Sequence, residues 1–86
     1  MKVSVYDTYV PKGNNIVMHF DILVKDNESI ENVYAYGKDY LNNKGVPNYK
    51  LSTNECKFCH MEKAPDDVEK QILDKGYYII EMENCN

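Results

Sequence analysis

The sequence predicts an α+β domain: one four-stranded mixed sheet with two helices packed on one face, in the order strand, strand, helix, strand, helix, strand. Three observations carry this. Runs rich in β-branched and aromatic residues occupy positions 2–10, 16–24 and 77–83. Two stretches repeat apolar residues at helical spacing, and each closes on Lys-Gly. The chain has 86 residues and no linker-like or low-complexity stretch, so residues 1–86 form a single domain.

Residues 2–10 read as the first strand. Pro11-Lys12-Gly13-Asn14-Asn15 is a turn cluster. Residues 16–24 form the second strand, with Met18, Phe20, Ile22 and Val24 on one face and Val17, His19, Asp21 and Leu23 on the other. The short connection makes the pair an antiparallel hairpin. Asp26, Asn27 or Ser29 then caps a helix, and Glu28 and Glu31 suit its positive end. Ile30, Val33, Tyr34, Gly37 and Leu41 recur at helical spacing, with Tyr36 and Tyr40 on a flanking face. Asn43-Lys44-Gly45 stops the helix, with Pro47 just beyond, and residues 46–51 connect.

Ser52-Thr53-Asn54-Glu55 fits a capping box, which predicts one helical turn before the third strand at 57–62. Pro65-Asp66-Asp67 opens the second helix, Pro suiting the first helical position and the acids suiting the dipole. Its stripe is Val68, Ile72 and Leu73, and Lys75-Gly76 closes it. Residues 77–83 form the last strand, and Asn84-Cys85-Asn86 is a short tail.

Composition excludes several classes of function. Net charge is −4, and the ten basic residues are all lysine and scattered, which argues against a nucleic-acid surface. No apolar run is long enough to span a bilayer, and the first residues lack a signal-peptide core, so a cytoplasmic location is expected. There the three cysteines are expected as thiols or metal ligands rather than disulfides. Eight Tyr against two Phe and no Trp suit a half-buried core edge or a self-association surface.

The densest chemistry is Cys56-Lys57-Phe58-Cys59-His60. The pattern C-x-x-C-H is the attachment signature of c-type haem, with Met18, Met61 or Met82 available as second axial ligand, but such attachment belongs outside the cytoplasm. The same spacing suits a zinc knuckle completed by His60, Cys85 or His19. On a regular strand, however, Cys56 faces with Phe58 and His60 and away from Cys59, so a shared ion requires a bend at Lys57-Phe58. A dithiol redox motif would sit at a helix N-terminus, which the segment before Pro65 does not provide. The plain alternative is small buried hydrophobes in a strand.

A second constellation is His19 and Asp21 on one strand face, with Asp7 expected nearby on the neighbouring strand. A carboxylate that orients a histidine begins a general-base site, and Cys59 or Cys85 could serve it as nucleophile. The plain alternative is a polar histidine satisfied by an Asp. Glu81 and Glu83 share one face of the last strand and read as solvated.

Residues 5–10, Met18-His19-Phe20-Asp21, Glu55-Cys56-Lys57-Phe58-Cys59-His60 and residues 76–86 together resemble a bacterial family of small proteins catalogued as a domain of unknown function, family number two thousand and twenty-four. The resemblance spans essentially the whole chain. It implies a bacterial, cytoplasmic, single-domain α+β protein and places His19, Asp21, Cys56, Cys59, His60 and Cys85 within family motifs. It implies no particular activity, substrate or cofactor.

The sequence thus leads to a small non-enzymatic protein, a homodimer through a tyrosine-bearing surface, with a zinc or iron site built around Cys56, Cys59 and either His60 or Cys85. The first alternative is a thiol-dependent enzyme combining a cysteine with His19 and Asp7 or Asp21. The second is an interaction module without a site.

Overall fold

The computed structural model describes residues 1–46 and 51–86. Four strands and two helices follow the expected order: β1 Lys2–Gly13, β2 Ile16–Lys25, α1 Ile30–Asn43, β3 Cys56–Lys63, α2 Asp66–Lys75 and β4 Tyr77–Glu83. The connection expected at 46–51, with Pro47, lies largely outside the described residues. Among those described, no helix is long and apolar enough to cross a membrane.

Local chemistry explains the boundaries. Asn14 and Asn15 both take positive φ, 54° and 62°, which a tight hairpin requires and asparagine tolerates. Ser29 caps α1 by accepting from the Asn32 N–H at 3.3 Å. The Glu55 carboxylate accepts from the Ser52 N–H at 3.0 Å and from its hydroxyl at 2.8 Å, closing one turn ahead of β3. Gly76 ends α2 at φ 100°, and its N–H bonds Ile72 O at 2.8 Å. Pro65 is the N-cap of α2 rather than its first helical residue.

The sheet runs β3-β1-β2-β4, and every neighbouring pair is antiparallel, which corrects the expected mixed sheet. β2 and β3 do run in the same direction, as a helix crossover requires, but β1 lies between them.

The helices also do not share a face. Val10, Met18, Phe20, Ile22, Val24, Cys56 and Tyr77 pack with Val33, Tyr40 and Leu41 of α1. Val3, Val5 and Leu23 pack with Ala64 and with Val68 and Ile72 of α2. The cross-strand pair Val5 and Leu23 lies on the side opposite the pair Tyr6 and Ile22, because side chains alternate along a strand. Both faces carry apolar residues at one end, so one layer of helix cannot bury them all. Ile30 and Leu73, expected on the apolar stripes, are 37% and 71% exposed, and Tyr40 takes a place in the core instead.

The tyrosines close the core edge through their hydroxyls. Tyr77 donates to Asp39 at 2.7 Å and Tyr40 donates to Glu81, while the Tyr36 ring stacks on Tyr77 at 4.8 Å.

Candidate functional site

α2 covers only the half of its face that carries Val3, Val5 and Leu23. Further along the central strands the same face continues through two cross-strand pairs, Asp7 with Asp21 and Tyr9 with His19. Sequence alternation alone puts His19 and Asp21 on one face. The register that brings Asp7 opposite Asp21 depends on an irregularity in β1. Gly13 pairs with Ile16, whereas Pro11 pairs with Val17, leaving Lys12 as an extra residue. Without that bulge Asp7 would oppose Ile22, and a one-residue slip would turn its carboxylate to the other face.

The three side chains converge. His19 Nε2 lies 3.7 Å from Asp7 Oδ1 and 3.9 Å from Asp21 Oδ1, and one ligand atom from each residue falls within 4.8 Å of the others. Both distances exceed hydrogen-bond length. His19 Nε2 and Asp21 Oδ1 are buried without a hydrogen-bond partner, and only 10% of the Asp21 side chain is exposed. Burial, then the hydrogen bond and charge of Asp7, push the Asp21 carboxyl up to about 6. Asp7 is held below the usual carboxylate range, first by its hydrogen bond with Asp21. The charge of Asp7 thus opposes the ionisation of Asp21.

The surroundings fix the imidazole. Tyr9 stacks on the His19 ring at 4.1 Å with 11° between planes. Behind it, the Cys85 thiol donates to His19 O at 3.3 Å. The tail is tied to the hairpin, where Asn84 Nδ2 donates to Val17 O at 2.8 Å and Lys12 Nζ donates to the carbonyls of Asn84 and Asn86 at 3.0 and 2.9 Å. Beside Asp7, a cleft of about 170 Å³ opens between Tyr9, Asn54, Glu55 and Lys57.

The fold does not gather Cys56, Cys59, His60 and Cys85 into one centre. Cys56 lies in the α1-side core, 1% exposed, and accepts from Thr8 Oγ1 at 3.5 Å. Burial pushes its thiol up. Cys85 is buried in the same core cluster. Cys59 is exposed and stands on the Asp7 side of the sheet, where desolvation and then the Asp7 and Asp21 carboxylates push its thiol up.

The bend that the sequence requires is present, but as a bulge at Cys59 rather than at Lys57-Phe58. His60 pairs with Val5 and Phe58 with Tyr6, so Cys59 is the extra residue. The change of parity leaves Phe58 with Cys56 on the α1 side, where Phe58 meets Tyr6 edge-on at 5.7 Å. His60, which regular alternation puts beside Cys56, faces with Val5 instead. Its Nδ1 lies 3.2 Å from Cys59 Sγ.

Two carboxylates and an imidazole facing one point form a donor set for a divalent transition metal. A general-base arrangement fits less well. Neither carboxylate is close enough to orient His19 by a hydrogen bond, and Cys59, the thiol on this face, is raised rather than activated, by desolvation and then by Asp7. The sequence names Cys59 as a candidate ligand and nucleophile but does not reveal its place on the Asp7 side, because a bulge within a polar edge strand leaves no alternation to read.

No curated protein matches the chain. A solved structure does: the NMR structure of protein NE1680 from Nitrosomonas europaea, a structural-genomics target, is 40% identical, with 100% of each chain covered and a TM-score of 0.84. The model of a family described as a domain of unknown function (DUF2024) matches residues 1–82, and the chain belongs to that family.

Proposed function

We propose that the protein binds one divalent transition-metal ion through Asp7, His19 and Asp21. The observation that carries this reading is the pair of buried, unpartnered atoms, His19 Nε2 and Asp21 Oδ1, facing each other and Asp7 Oδ1 across 3.7–3.9 Å. Buried polar atoms are normally paired, and leaving them unpaired costs about 1–3 kcal/mol each. An ion would satisfy both. Bonds of about 2.0–2.1 Å in tetrahedral geometry separate donors by roughly 3.3–3.4 Å, close to the 3.7 and 3.9 Å that part His19 from the two carboxylates.

The second support is electrostatic. Like charges directly opposite on adjacent strands destabilise a sheet. Asp7 and Asp21 hold such positions on the two central strands, and a cation between them turns repulsion into ligation. The mixed oxygen and nitrogen donors favour zinc, cobalt, iron or manganese over calcium, which takes oxygen ligands alone.

Calorimetric titration of chelator-stripped protein with zinc tests this. One equivalent is expected to bind wild type. Affinity is expected to fall more than about 100-fold in His19→Ala and Asp21→Asn, beyond the 10–100-fold typical of outer-shell partners. Wild type that takes up no zinc, or variants that bind as wild type does, would overturn the assignment.

A further inference from the structure

We propose that Cys59 is the fourth ligand of this centre, carried to it by the β3 bulge, and that its sulfur makes the centre selective for thiophilic ions such as zinc and cobalt. This rests on the metal reading above and names the residue that sets its specificity.

The argument begins with the strand. Counted back from the His60–Val5 pair without a bulge, Cys59 would oppose Tyr6, and its thiol would point under α1. The extra residue hands that position to Phe58 and turns Cys59 to the side of Asp7. Re-aiming a side chain next to a site is a recurrent use of bulges. Three neighbouring strands then present donors on one side of the sheet: Cys59 from β3, Asp7 from β1, and His19 and Asp21 from β2.

The thiol stands beside the trio rather than within its 4.8 Å span. Cys59 is exposed on an edge strand, so a rotation about its Cα–Cβ bond is unobstructed by the core. The step is a ligation without electron transfer: the S–H bond breaks, the sulfur–metal bond forms, and the proton leaves to solvent. His60 Nδ1, 3.2 Å from the sulfur, is placed as the outer partner that orients it. Cys56 and Cys85 cannot substitute, because both are held in the α1-side core.

Cobalt loading tests the ligand directly, since a cobalt–thiolate bond produces an intense near-ultraviolet charge-transfer band. Wild type and Cys56→Ser are expected to bind one cobalt with that band. Cys59→Ser is expected to bind cobalt at least tenfold more weakly and without it, and the preference for zinc over manganese is expected to narrow at least tenfold. Cobalt bound by wild type without the band, or a band that survives in Cys59→Ser, overturns the role of Cys59 and leaves the Asp7, His19 and Asp21 site standing. No cobalt or zinc bound at all overturns both.

Discussion

Asp7 and Asp21 oppose each other on the two central strands, and the fold accepts the strain of two adjacent carboxylates where an apolar or oppositely charged pair would serve stability better. This predicts a trade between stability and binding. In the presence of chelator at neutral pH, Asp7→Asn is expected to be more stable than wild type by about 0.2–1 kcal/mol, the range for cross-strand pairs, and to lose tight zinc binding. Urea unfolding of both proteins with chelator measures the first effect. A loss of stability in Asp7→Asn would mean that Asp7 makes net favourable contacts of its own, and the trade would be absent. At this scale the sequence was informative about His19 and Asp21, because two residues apart on a strand must share a face. It named Cys59 as a candidate ligand and nucleophile, but not its place beside Asp7, which depends on one extra residue that no local preference demands.

The elements are joined edge to edge as much as face to face. Tyr77 at the start of β4 reaches Asp39 on α1 at 2.7 Å, Tyr40 on α1 reaches Glu81 on β4, and Lys44 pairs with Glu81 at 2.7 Å. Burial, then the hydrogen bond to Asp39, raise the Tyr77 hydroxyl from its ordinary value of 10.0 to about 12. The sign follows from linkage: the folded state holds this proton more tightly than the unfolded chain does. The contribution is therefore complete below pH 10 and disappears as pH rises from 10 through 12. Tyr77→Phe removes the titrating group, so its stability is expected to fall less steeply than that of wild type across this window. At neutral pH it is expected to cost about 1–2 kcal/mol, near the lower end for a hydrogen bond to a charged group. Urea midpoints measured at intervals across the alkaline range decide the matter, and parallel curves for the two proteins would refute the coupling. Element order and boundaries were legible because caps, glycines and alternation are local signals. The strand order, the wholly antiparallel pairing and the division of the helices between two faces were not, since these depend on which apolar half-faces compete for cover: Leu23 with Val3 and Val5 needed a helix of its own.

As a whole, the molecule is a thin sheet with a helix on each side, and α2 leaves part of its face bare at the site. A chain of this size buries only about 60–65% of its unfolded surface, so its margin of stability is small. Any ion held by the native trio and not by the unfolded chain then adds a large fraction of that margin. Free zinc at 100 times its dissociation constant contributes about 2.7 kcal/mol. Each kcal/mol moves the midpoint of a domain this small by roughly 4–8 °C, so saturating zinc is expected to raise it by about 10–20 °C and chelator to return it. Unfolded thiols also bind zinc, which lowers the shift, so the decisive comparison is with His19→Ala, which keeps all three cysteines. That variant is expected to melt no higher with zinc than with chelator. A zinc shift equal in the two proteins would assign the effect to the thiols and remove His19 from the centre. Coincident wild-type curves with zinc and with chelator would remove the ion from the account of this fold.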